Sequence, residues 1–190
     1  MNKEYTEGKV FEKADYSENP LPKGDYENCS FVNCNFSNSD LSKISFTECE
    51  FKGCNLSMVK LVNTGIKEVR FINCKLLGLH FENCNTLLFQ AYFENCMMNL
   101  CSFYKLKIKK TSFINCSLHE TDFTETDLSG SLFTNCDLAR AVFEHTILEK
   151  TDFRTSYNYS IDPEKNRISK AKFSMQGISG LLDKYDIEIE

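Results

Sequence analysis

Ten cysteines, three histidines and 27 acidic residues are the side chains of this 190-residue chain that could carry chemistry. Thiols in close pairs, as in CSFVNC (29–34), CEFKGC (49–54) and CMMNLC (96–101), could ligate a metal, exchange as disulfides or act as nucleophiles. Each pair is five apart, however, and the second ligand pair with histidine that a zinc site would want is missing. His80, His119 and His145 take outward positions with no common column, and no GxSxG, P-loop or HExxH sequence occurs. No catalytic residue, metal site or cofactor is expected. The cysteines instead mark a period.

Stepping by five from Phe11 meets Tyr16, Leu21, Tyr26, Phe31, Phe36 and Leu41, and the run of large apolar residues continues to Phe81. After a shift of two it resumes at Leu88 and Phe93 and runs to Phe153. Fifteen of the 16 Phe occupy this position, the centre, once Phe173 is included; Phe89 does not. Two residues before each centre stands a small side chain, and all ten cysteines fall there. A free cysteine at such a place behaves as a small buried hydrophobe, so reduced structural thiols are expected.

A five-residue period fits neither the 3.6 of a helix nor a plain alternating strand, so each unit must join a short extended piece to a turn. Centre and small residue then point inward, and Asn, Asp, Ser, Lys and Glu at the other positions face out. Seven of the ten cysteines follow Asn, and Cys54 follows Gly53. Those residues suit the positive φ at the third position of a type II turn. From Phe93 to Phe153 the centres alternate between Phe and an aliphatic residue. Four sides keep like over like and leave room for Phe, which gives a twenty-residue coil. Phe93, Phe113, Phe133, Phe153 and Phe173 then form one column, Leu88, Ile108, Leu128, Leu148 and Ile168 another, and Cys34 lies over Cys54 and Cys74.

One all-β domain spans 1–190, divided as an N-terminal cap (1–8), a first stack of coils (9–83), a break at 84–88, a second stack (89–178) with a loop at 156–166, and a C-terminal cap or dimer segment (179–190). About eight coils spaced like paired strands make a rod about 40 Å long. In the loop the centres would be Asn158 and Pro163; the tail reads as a helical turn over Leu181–Tyr185 followed by a strand-like Asp186–Glu190. Apolar residues at outward positions gather near the break, among them Phe89, Tyr92 and Tyr104, and either cover the misfit or form a patch for a partner. The N-terminus lacks an apolar signal region and no membrane-length apolar run occurs, so a cytoplasmic protein with no membrane partner is expected.

Units such as ADYSE, CNFSN, SDLSK, TDFTE, TDLSG and CDLAR resemble the pentapeptide repeat family over about residues 9 to 178. The resemblance implies a right-handed quadrilateral β-helix. Within the family, the overall length, the break and the C-terminal spacing of Leu181, Leu182, Ile187 and Ile189 are similar to the Qnr-type quinolone-resistance proteins. That likeness implies a DNA-mimicking binder of DNA gyrase or topoisomerase IV that protects against quinolones or toxins, homodimeric through Leu181, Leu182, Tyr185, Ile187 and Ile189. B-DNA carries about one charge per 1.7 Å, so a rod of this length would need on the order of twenty negative charges. The net charge is −5. Only a local version survives, on Glu120, Asp122, Glu125, Asp127 and Asp137, a stretch free of Lys and Arg. Just before it stands YKLKIKK with Lys105, Lys107, Lys109 and Lys110, which suits an acidic surface or nucleic acid, although no direct nucleic-acid partner is expected. The alternative is a structural or adaptor solenoid that binds another protein, through the apolar residues near the break.

Overall fold

The computed structural model describes residues 4–87 and 89–188, and its fold follows from a left-handed residue repeated at its corners. At many corners the carbonyl of a centre accepts a hydrogen bond from the N–H three residues on, as in Ser39 to Phe36 at 2.9 Å and Thr126 to Phe123 at 3.1 Å. At others that N–H turns to the small side chain of the next coil, as Cys34 does to the Cys54 Sγ at 3.4 Å and Cys136 to the Ser156 Oγ at 3.1 Å. In both kinds the residue before the small one is left-handed. Asn28, Asn33, Asn95 and Gly53 take positive φ there as expected, but so do Met58, Leu100, Lys105, Glu125 and Arg140. For such side chains the left-handed conformation costs about 1–2 kcal/mol. The corner imposes it because the neighbouring coils fix the path of the chain.

Stacked corners give two wholly parallel sheets. One has the order β1 (Glu4–Glu7), β3 (Gly24–Glu27), β5 (Ser45–Thr47), β7 (Gly65–Lys67). The other runs β2 (Val10–Glu12), β4 (Ser30–Val32), β6 (Glu50–Lys52), β8 (Val69–Ile72), β9 (Ala91–Glu94), β10 (Ser112–Ile114), β11 (Leu132–Thr134). Single bridges stack the remaining sides, for example Asn35 on Asn55 on Lys75 on Met97, and His80 on Ser102 on Asp122 on Val142. The cross-section is therefore four-sided. The faces are named after their centre columns as the Phe11, Tyr16, Leu21 and Tyr26 faces.

The core is a set of ring stacks. On the Phe11 face, rings 11, 31, 51, 71, 93, 113, 133, 153 and 173 lie parallel at centroid spacings from 4.7 to 5.5 Å. Phe81, Phe103, Phe123 and Phe143 stack on the opposite Leu21 face and meet the first column edge to face, as Phe113 does with Phe123 at 6.1 Å. Alternating Phe with aliphatic centres thus places the aromatics on opposite walls.

The small inward residues do more than fill space. Cys54, Cys74 and Cys136 donate Sγ–H to the carbonyls of Phe31, Phe51 and Phe113 at 3.2–3.3 Å. Thr121, Thr126 and Thr146 donate Oγ1–H to Met98, Phe103 and Phe123 at 2.8–3.0 Å. Each bond ties a coil to the one before it, so Cys, Thr and Ser are interchangeable here because all are small donors. The cysteines are free and buried; Cys34, Cys54, Cys74, Cys96, Cys116 and Cys136 form one column capped by Ser156. Burial pushes the Cys101 thiol up to about 12 and so disfavours its own thiolate.

The two extra residues act on one side only. Phe71 stacks on Phe93 at 5.3 Å, and β8 pairs directly with β9, across the insertion. On the Tyr26 face the sheet ends at β7; Asn85 bridges Gly65, and the chain then swings so that the Gln90 N–H bonds the Ile66 carbonyl at 2.9 Å. Leu88, a centre by the count of five, lies outside the described residues. In the late loop, Tyr159 and Ile161 enter the core where the count would place Asn158 and Pro163. Tyr159 leans tilted against both Phe153 and Phe173, at 5.8 and 5.7 Å. Two 3-10 turns, Ile178–Leu181 and Asp183–Tyr185, close the end. The strand expected from Asp186 does not form over 186–188, because Asp186 takes a φ of 49° that turns the chain from an extended path. Ile189 lies outside the described residues.

Candidate interaction surfaces

The interior is filled by Phe and Leu, so any site lies on the outer faces. Their acidic residues begin as parts of the corner. An Asp or Asn before a centre accepts the N–H two residues on: Thr124 donates to Asp122 at 2.8 Å, Ser129 to Asp127 at 3.1 Å and Ala139 to Asp137 at 3.2 Å. This explains why Asp and Asn recur at that position, and it gives these carboxylates a structural task before any functional one.

The five acidic candidates are spread around the coil. Asp122 stands on the Leu21 face, with Glu120 and Glu125 at its two corners; Glu120 pairs with Arg140 at 2.7 Å. Asp127 is on the Tyr26 face, only 8% exposed, and pairs with Lys109 at 3.2 Å. Burial raises its pKa, but the bonds from Ser129 and Lys109 outweigh this and hold it below the usual carboxylate range. Asp137 is on the Tyr16 face, paired with His119 at 2.8 Å; there too burial is outweighed, by Asn158 and His119, and the pKa is lowered. Glu125 faces Lys105 at 3.5 Å. Residues five apart fall on adjacent faces, so a run of acids along the chain wraps around the rod rather than forming one strip.

The apolar candidates divide as well. Tyr104 lies on the Leu21 face, in a shallow hollow with His80, Leu100, Glu120 and Asp122. Phe89 and Tyr92 line a different and larger groove, of about 990 Å³, at the insertion. Phe89 is half-buried, its ring edge-to-face with Phe81 at 6.0 Å. Arg70 lies over the Tyr92 ring at 5.3 Å, and burial, then Glu94, raises the pKa of that phenol. The rim carries Lys67, Arg70, Lys107, Lys109 and Lys110. Lys107, Lys109 and Lys110 are legible in the sequence as a basic run. Their meeting with Lys67, Phe89 and Tyr92 shows only when the two-residue shift is counted, which puts Lys67, Phe89 and Lys109 at equivalent positions.

At the C-terminus, Leu181 packs against the core while Tyr185 and Ile187 are exposed. Lys184 holds the turn by pairing with Asp162 and Glu164, each at 2.7 Å. Among the described residues no group of His, Cys, Asp and Glu could hold a metal ion, and no helix is long and apolar enough to cross a membrane.

A family model for a pentapeptide repeat region matches residues 25–90 and 86–158. No curated protein matches the chain. Among solved structures, two trypsin-treated variants of QnrB1, a plasmid-mediated fluoroquinolone resistance protein, are similar to it with TM-scores of 0.58 at 19% identity. One alignment covers 99% of this chain and 98% of the other; the second covers 100% of both. HetL, a pentapeptide repeat protein involved in heterocyst differentiation regulation from the cyanobacterium Nostoc sp. strain PCC 7120, aligns with a TM-score of 0.42 at 15% identity, over 91% of this chain and 85% of its own.

Proposed function

The chain belongs to the pentapeptide repeat family, and from that premise we propose that it is a non-enzymatic binding protein whose partner reads its outer faces. The specific reading is a binder of type II topoisomerase, gyrase or topoisomerase IV, that lessens quinolone or toxin action. The observation that carries it is the likeness in fold to QnrB1 along the whole chain, end to end. The acidic contact in this reading narrows to Asp122 with Glu120 and Glu125 at the two corners of its face; Asp127 and Asp137 belong to other faces. In a supercoiling assay with purified gyrase and ciprofloxacin, micromolar protein is expected to restore activity, and Asp122→Lys with Glu125→Lys to lose that effect. Neither rescue nor inhibition by the unaltered protein would defeat the reading.

Homodimerisation through the C-terminal segment belongs to the same proposal and is supported by the exposed Tyr185 and Ile187. The double variant Tyr185→Asp, Ile187→Asp is expected to be monomeric by light scattering. A parent protein that is already a monomer would rule the contact out. The second reading, an adaptor for another protein, is favoured by the groove at the insertion, which combines apolar and cationic groups on an otherwise acidic molecule.

A further inference from the structure

We propose that the groove at the insertion docks a short acidic polypeptide segment carrying an apolar anchor, seated on Phe89 and Tyr92 and held by the surrounding cations. This goes beyond the topoisomerase reading and does not depend on it. Among the described residues the Tyr26 face has no strand between β7 and the coil of Lys107, and a groove of about 990 Å³ opens there, lined by Phe89, Gln90 and Tyr92.

The charges select the occupant. Arg70 and Lys109 are already engaged by Glu50 and Asp127, at 3.8 and 3.2 Å. Lys67, Lys107 and Lys110 form no ion pair among the described residues and are exposed. Glu68 is the one acid on the rim. A locally cationic groove on a chain of net charge −5 steers anionic segments to this place and away from the remaining surface. Phe89, half out of the core, and Tyr92 offer aromatic surface for an anchoring side chain, the kind of contact that carries most of the energy of a small interface.

The same face limits the length of the partner. Along the column of Lys67, Glu27 stacks on Thr47 and Thr47 on Lys67; below the groove, in the column beside it, Lys107 stacks on Asp127. Glu48 is exposed above, and Glu149 lies below, paired with Arg167. Above the groove a continuous phosphate backbone would run from the lysines onto Glu27 and Glu48, whereas a few acidic residues would not. The geometry therefore favours a short acidic peptide over a nucleic acid.

The test is fluorescence anisotropy with the full chain and a labelled peptide of alternating glutamate and leucine around one phenylalanine. Its lysine-for-glutamate counterpart and a labelled single-stranded DNA serve as comparison probes. The acidic peptide is expected to bind saturably, to weaken as salt rises, and to lose about tenfold in affinity with Lys67→Glu plus Lys110→Glu, both exposed and outside the core. Phe89→Ser, checked for an unchanged circular dichroism spectrum, is expected to weaken it comparably; if it does not fold, Tyr92→Ser takes its place. No saturable binding, or binding unchanged in the charge-reversed chain, overturns the proposal. DNA binding as tight as the peptide's and equally sensitive to Lys67 and Lys110 overturns it as well, in favour of a nucleic-acid surface.

Discussion

Phe113→Ala is expected to lower the free energy of unfolding by about 3–5 kcal/mol, measured by urea titration followed by circular dichroism. The ring is wholly buried and lies parallel to Phe93 at 5.2 Å and Phe133 at 4.8 Å. Its edges meet Phe103 and Phe123 at 5.8 and 6.1 Å. Truncation removes two stacked and two edge contacts at once. The rings above and below are held at their spacing by their own coils, so the space cannot close by collapse and the cavity term remains. A loss below about 1 kcal/mol would mean that the ring is not a structural member of the core.

The second large effect concerns the thiol column. Cys96→Asp is expected to destabilise by more than about 3 kcal/mol, whereas Cys96→Thr should stay within about 1 kcal/mol of the parent in the same titration. Cys96 is 2% exposed and donates to the Phe71 carbonyl at 3.4 Å. A threonine reproduces that bond, as Thr126 does toward Phe103 at 2.8 Å. An ionised aspartate has no proton to donate and no cation within the aromatic interior to face. Equal damage from both substitutions would show that the sulfur itself is required. Tolerance of the aspartate would show that the column is open to water.

How much of this was legible from residues alone follows from the range of the interaction concerned. The centre and the small inward position repeat locally, every five residues, so the sequence displays them directly, and twenty-residue stacking follows from the alternation of Phe with aliphatic centres. The Phe11 column of rings forms as that count requires. Positive φ was legible as a position but not as a limit on residue type, since the neighbouring coils force Leu100 and Met58 into it. The bonds from Cys54, Cys74, Thr126 and their like to the coil before were hidden too, because size alone does not distinguish Cys as a filler from Cys as a donor.

Where the surface is concerned, the same period misleads. A reader of the chain sees Glu120 to Asp137 as one acidic stretch and Phe89, Tyr92 and Tyr104 as one seam. The coil sends residues five apart to different faces and brings together residues about twenty apart. Thus Asp127 and Asp137 part from Asp122, and Tyr104 parts from Phe89, while Lys67 and Lys110 meet across the insertion. The sequence by itself determined what faces inward, because inward packing repeats with the local unit. Which outward residues share a surface was decided only by the tertiary structure, because that depends on the coil length and on the two residues by which one coil departs from it.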